Sequence, residues 1–178
     1  MDAAAWMMQL VIFILPAYFA NSVPVLLGGG VPIDGGKKWK DGQRLFGDGK
    51  TVRGFFAGVA AGVAVGAVEG LLLAGGNWDI YQSGANIYVL AGLLLGCGAM
   101  AGDLLGSFIK RRQGLARGKP SLVMDQLLFL ALALLFVYPL ANGLLTLAAV
   151  LFLAVLTYFV HVGANVLANR LGLKKVPW

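Results

Sequence analysis

Two carboxylates and a run of cations fall at spacings that suit phosphate chemistry. Asp103, Ser107 and Lys110 follow one another at i, i+4 and i+7, which puts them on one face of a helix. Arg111 and Arg112 come next, then Arg117 and Lys119, and then Asp125. On a helix, Asp103 lies about 10 Å below the level of Lys110, and Asp125 about 9 Å below that of Lys119. The two carboxylates flank one short loop, so their helices read as antiparallel neighbours with both acids at one depth. A pair of carboxylates at one level suits Mg²⁺, which takes few protein ligands and keeps room for water and phosphate oxygens. The cations above them would neutralise those phosphates. The plainer alternative is that Asp103 and Asp125 only pair with nearby Lys or Arg.

Other polar groups share this level. Asn21 and Ser22 close the first apolar run, and His161, Asn165 and Asn169 stripe one face of the last. Together they read as a polar cavity at one end of a bundle. For His161, a hydrogen-bonded bundle histidine fits at least as well as a catalytic one. Glu69 lies outside this slab, near the opposite face, and reads as a packed or water-facing structural residue.

The elements that must carry these groups are apolar. The 178 residues are 59% hydrophobic and only 12% charged, and the mean hydropathy is +0.81. A soluble fold of this size could not hide so much apolar surface, and a disordered chain would not contain it. Runs of about 20 apolar residues mark spanning helices. Five are read, over 3–27, 54–76, 86–111, 121–139 and 142–169. The first lacks the basic start of a signal peptide and is kept as a span. The expected fold is an all-α integral membrane protein, a single membrane domain over 1–178 with a bundle of about five transmembrane helices.

Every basic residue falls on one side of that bundle. Six lie in the loop 28–53, five in Lys110–Lys119 and three in Arg170–Lys175. The positive-inside rule therefore places the N-terminus outside, the C-terminus in the cytoplasm, and the basic loops 28–53 and 112–120 in the cytoplasm. The net charge of +6 is accounted for in this way and does not argue for nucleic acid. A single Cys excludes an internal disulfide and a Cys-based zinc site.

Gly54, Gly58, Gly62, Gly66 and Gly70 recur every four residues, and Gly92, Gly96, Gly98, Gly102 and Gly106 crowd the third span. Small residues at this spacing let helices approach closely in lipid. Packing within one bundle is the favoured reading, with a homodimer through the same stripe as the lesser one. Gly49-Lys50-Thr51 is not a P-loop, because Arg44 stands where that pattern needs Gly. Gly28-Gly29-Gly30 follows no strand and is not a dinucleotide fingerprint. The aspartate-rich signature of the CDP-alcohol phosphotransferases is also missing.

One pattern does fit. Gly102-Asp103 through Ser107, Lys110-Arg111-Arg112, Lys119-Pro120 and Asp125-Gln126 resemble the signature of membrane CTP:phosphatidate cytidylyltransferases. The chain is shorter than the bacterial and eukaryotic enzymes, and Asp125-Gln126 replaces their Asp-Arg pair. It is more similar to the archaeal branch, the CDP-archaeol synthases, along almost its whole length. The shared residues are Ala20-Asn21, Pro24-Val25, Pro32-x-Asp34, the block Gly47-Asp48-Gly49-Lys50-Thr51-x-Arg53-Gly54, and the Gly102–Asp125 block.

The resemblance implies transfer of a cytidylyl group from CTP to an isoprenoid ether lipid phosphate at a bilayer, with Mg²⁺ as cofactor. It implies that Asp103 and Asp125 hold the metal and that Lys110 acts with them in catalysis. It implies substrate contacts at Asn21, Asp48, Lys50, Thr51, Arg53, Ser107, Arg111 and Lys119. The Gly47–Gly54 segment is a candidate lid. The nearest alternative is the same reaction on phosphatidate. A more distant one is a small anion transporter, supported by the intramembrane polar slab but lacking a matching polar path through the other half.

Overall fold

The computed structural model describes residues 2–115, 124–141 and 143–173, with side chains at 124–126 outside the described set. The described residues form helices joined by turns and loops, and no strand. The helices are α1 (Ala3–Ser22), α2 (Pro24–Leu27), α3 (Val52–Leu73), α4 (Ala85–Arg112), α5 (Met124–Ala141) and α6 (Leu147–Arg170). Four stretches among them are long and apolar enough to cross a membrane: Ala3–Leu27, Val52–Leu73, Ala85–Arg112 and Leu147–Arg170. The apolar part of α5, Leu127–Ala141, is shorter. The chain is thus a multi-pass helical membrane protein by length and composition.

Local chemistry moves the helix ends away from the hydropathy boundaries. The first span is broken at Pro24, which has no N–H to donate, so α1 stops at Ser22 and α2 is a single turn. The second begins at Val52 rather than 54, because the Thr51 hydroxyl caps the helix by accepting from the Gly54 N–H at 3.1 Å. It ends at Leu73, three residues short of the expected end, where Ala74 turns extended. The last span begins at Leu147 rather than 142, because residues 143–146 form a turn and Thr146 caps the helix. α5 runs on through Pro139 to Ala141.

α4 is the central helix, and glycine lets it be so. A Cβ on Gly62 would lie 2.7 Å from the Gly92 carbonyl oxygen, and one on Gly70 would lie 2.8 Å from that of Ala85. Gly66 meets the Tyr88 carbonyl in the same way. On another face, Gly98 and Gly102 meet the Leu132 and Leu128 carbonyls of α5. Gly58 takes the α1 backbone, 2.6 Å from the Ala20 oxygen. The glycine stripe of α3 is therefore consumed inside the chain. Leu10, Phe13, Ile14, Leu95, Ala99, Ala133 and Val137 fill the core between these helices. α6 buries only Ala149, Leu153 and Thr157, and a 2.8 Å hydrogen bond between the Tyr18 and Thr157 hydroxyls ties it to α1.

The far end of the bundle is closed by the 74–84 loop. The Asp79 carboxylate accepts from the backbone N–H groups of Gly75, Tyr81 and Gln82, at 2.7, 3.3 and 2.9 Å, and from the Tyr88 hydroxyl at 3.0 Å. Those bonds, the one from Gly75 foremost, hold its pKa below the usual carboxylate value. Glu69 is buried on α3, and its Oε1 has no hydrogen-bond partner among the described residues. It lines an apolar groove of about 460 Å³ between α1 and α3, with Ile12, Leu15, Phe19, Val65 and Val68.

Candidate active site

The basic end of the bundle is built around Asp34. Its side chain is fully buried and accepts from the Gly36, Phe46 and Gly47 N–H groups, at 3.1, 3.0 and 2.9 Å. The Arg44 guanidinium grips the same carboxylate through Nε and Nη2 and reaches Asp48 with Nη1 at 2.6 Å. Burial works against the charge on Asp34, but Arg44 and these N–H groups outweigh it and hold the carboxyl well below the usual range. The bonds to Asp34 raise the Arg44 pKa in turn. One acid thus draws residues 34–47 into a compact lobe. Gly47 takes φ +91° there, a conformation an L side chain rarely adopts.

The lobe is fastened to α3 and α4. The Ile33 N–H donates to the Lys50 carbonyl at 2.8 Å and the Val52 N–H to that of Val31 at 3.0 Å. Arg112, at the end of α4, donates from Nη2 to the Arg44 carbonyl at 2.6 Å. Its Nε makes a charge contact with Asp41 at 3.2 Å, and its guanidinium lies 4.9 Å from the centre of the Phe108 ring. Trp39 and Phe46 pack on the same ring, with centroids at 5.5 and 6.4 Å.

This scaffold brings together two residues that are 53 positions apart. Lys50 Nζ donates to both oxygens of Asp103, at 2.7 and 2.6 Å. Both side chains are about three-quarters covered. The two sequence blocks, Gly47–Gly54 and Gly102–Asp125, therefore meet at this pair. The reading that Asp103 pairs with a neighbouring cation holds in this geometry, and the partner comes from the other block.

The remaining candidates gather less uniformly. Ser107 is buried one turn beyond Asp103. Lys110 and Arg111 lie in the last turn of α4, where cations suit the helix dipole. The Arg111 Nε is buried without a hydrogen bond among the described residues. Arg53 is exposed in the first turn of α3, where the helix dipole opposes a cation. Asp48 is mostly exposed and paired with Arg44. Thr51 is buried, and its hydroxyl is taken up by the Gly54 and Gly29 N–H groups. Asn21 is half-buried in the last turn of α1.

Lys119 and the Asp125 side chain lie outside the described residues. The backbone of Asp125 does not. Gly102 packs level with Leu128–Phe129, and Gly98 with Leu132–Ala133. In that antiparallel register Asp125 falls beside residues 105–106, within about 4 Å of the level of Asp103 along the axis. The His161 ring lies 5.9 Å from that of Phe129.

Asp34, Asp41, Arg44 and Arg112 carry the scaffold, and no spacing rule marked them as site residues. A local signal existed for Asp34, since Asp followed by Gly35-Gly36 is Asx-turn chemistry. The arrangement can hold an oligophosphate against fixed cations beside a carboxylate. Among the described residues no three His, Cys, Asp or Glu gather. A metal at Asp103 could draw on water and phosphate oxygens, which Mg²⁺ prefers. The ammonium on both Asp103 oxygens marks the position as one that favours a cation.

Comparison with known proteins gives the family. The profile described as "CarS-like: CDP-archaeol synthase" matches residues 4–178. The CDP-archaeol synthase of Pyrococcus abyssi is 52% identical over 93% of this chain and 95% of its own. That of Thermococcus gammatolerans is 49% identical over 100% of both chains. A solved structure described as "Structural insight into an intramembrane enzyme for archaeal membrane lipids biosynthesis" overlays with a TM-score of 0.75 at 37% identity, covering 90% of this chain and 94% of that one. With the family profile matching nearly the whole chain and relatives about half identical end to end, the chain belongs to the CDP-archaeol synthase family.

Proposed function

We propose that this chain transfers the cytidylyl group of CTP to the phosphate of 2,3-di-O-geranylgeranylglycerol 1-phosphate, giving unsaturated CDP-archaeol and pyrophosphate. The observation that carries the reading is the Lys50–Asp103 pair, which joins the two sequence blocks on which the resemblance rests. The segregation of every basic residue to one side supports a site facing the cytoplasm, with the N-terminus outside and five spans. The lipid keeps its chains in the bilayer there while its phosphate meets soluble CTP.

The nucleophile is a phosphomonoester oxygen, ionised near neutral pH, so no side chain must remove a proton. It bonds to the α-phosphorus of CTP as the bond to the β-phosphate oxygen breaks. The two substrates bring about six negative charges together. Lys50, Arg53, Lys110, Arg111 and Lys119 offset that repulsion and orient the phosphates. Asp103 and Asp125 would hold Mg²⁺, which would supply charge neutralisation for the triphosphate and the leaving pyrophosphate. Asn21 and Ser107 are further substrate contacts in this reading, Asp48 pairs with Arg44, and Thr51 caps α3 at the end of the Gly47–Gly54 segment.

Pyrophosphate release from CTP and Mg²⁺ by purified protein in detergent tests this. Three parallel reactions contain the di-geranylgeranylglyceryl phosphate, phosphatidate, or no lipid. Release that requires the ether lipid supports the proposal. Preference for phosphatidate would redirect it to CDP-diacylglycerol synthesis, and no release from folded protein with any lipid would refute it.

A further inference from the structure

Lys50 has two anions to choose from when substrate arrives. In the structure it spends both short bonds on Asp103, the one α4 carboxylate at the site. Its backbone cannot follow the side chain, because the Lys50 N–H donates to the Gly47 carbonyl at 3.1 Å and its own carbonyl accepts from Ile33. Only the four-carbon stem is left to swing. Asp103 offers one negative charge, whereas a terminal phosphate offers close to two and more acceptor oxygens. Compact ammonium heads exchange readily between such partners.

From this geometry we infer that Lys50 is the resident counter-ion of the metal position. It occupies the Asp103 oxygens while no nucleotide is bound, and moves to a phosphate oxygen when CTP arrives. Divalent metal alone then competes with a tethered ammonium and binds weakly. With CTP present, Lys50 is drawn off and Asp103 is free to take the cation. Metal and nucleotide therefore enter as a coupled pair, each raising the affinity for the other. The inference rests on the metal role of Asp103 proposed above and adds to it that Lys50 opposes metal in one state and serves phosphate in the other. A residue that only contacted phosphate would not affect metal binding in the absence of nucleotide.

Mn²⁺ alone is a direct probe, read by electron paramagnetic resonance on the detergent-solubilised full chain without CTP. Lys50→Met should bind Mn²⁺ about tenfold more tightly than the unaltered protein, the effect of removing one charged hydrogen-bonding competitor. Lys50→Arg, which keeps the pairing, should stay as weak as the unaltered protein and shows that the position tolerates change. Asp103→Asn in the Lys50→Met background should abolish the gain. No tightening in Lys50→Met overturns the counter-ion role. If Mn²⁺ binding falls in Asp103→Asn at the same time, the metal role of Asp103 survives. If Lys50→Met tightens Mn²⁺ binding but Asp103→Asn does not reverse it, the metal sits elsewhere and both readings fail.

Discussion

Asp34→Ala should loosen the lobe without disturbing the bundle. The carboxylate is the common acceptor for the Gly36, Phe46 and Gly47 N–H groups and for Arg44. Truncation leaves the Phe46 and Gly47 N–H groups facing a buried void, and each unsatisfied group costs about 1–3 kcal/mol. Taking the lower half of that range for the two together gives about 3 kcal/mol for closing the lobe. Backbone openings should then be about a hundredfold more frequent. Hydrogen exchange on a fragment covering residues 45–48 reads this as a comparable rise in rate. Fragments of α3 and α4 should keep their protection, because the helix contacts are made by glycines far from Asp34. Asp34→Asn retains one acceptor oxygen and should fall between. Exchange in Asp34→Ala within about threefold of the unaltered protein would refute the hub. The pH dependence has a definite sign. Asp34 has a depressed folded pKa, so its contribution is complete above the ordinary carboxylate pKa of about 3.9. It is lost only as pH falls below that value toward the folded pKa.

The glycine contacts predict that Gly66→Ala lowers the unfolding temperature in detergent by the equivalent of about 1–3 kcal/mol. Gly163→Ala, whose Cβ would meet nothing, should leave it unchanged or slightly raised; equal effects at the two sites would sink the packing account. Glu69→Leu should stabilise the bundle by about 1–3 kcal/mol, because the carboxyl is buried with one oxygen unpartnered, and pyrophosphate release should continue; a lower unfolding temperature would show that Glu69 has a partner it needs. Thr51→Val removes an N-cap and the acceptor for the Gly29 N–H, costing about 1–2 kcal/mol. Hydrogen exchange at the start of α3 should rise, and Thr51→Ser should restore it.

The candidate site divides sharply by what its residues needed in order to be seen. Asp103, Ser107 and Lys110 were readable because helical spacing alone puts them on one face. The level shared by Asp103 and Asp125 was also readable, since a short loop between two spans forces an antiparallel pair, and the α4–α5 glycine contacts keep that register. The scaffold was not. Asp34 and Arg112 fall inside motifs of the resemblance and Arg44 in a basic loop, but only the folded lobe shows that the acid ties four donors together while Arg112 staples the lobe to α4. Thr51 belonged to a motif that the resemblance reads as a substrate contact; that its hydroxyl also caps α3 shows only in the fold.

Composition and periodicity were enough to determine a multi-pass helical protein, because lipid admits few ways to satisfy a backbone and each needs a run of apolar residues. They also determined which end carries the charge. Helix ends were decided by caps and turns at Thr51, Ala74 and Thr146, which hydropathy averages away. The glycines signalled close packing, but which helix each would meet was settled by the three-dimensional arrangement around α4. The meeting of Lys50 with Asp103 belongs wholly to the tertiary structure. No local rule relates side chains so far apart in the chain, and their 2.6 Å contact exists only because Asp34 folds the loop and α3 and α4 hold both ends in place.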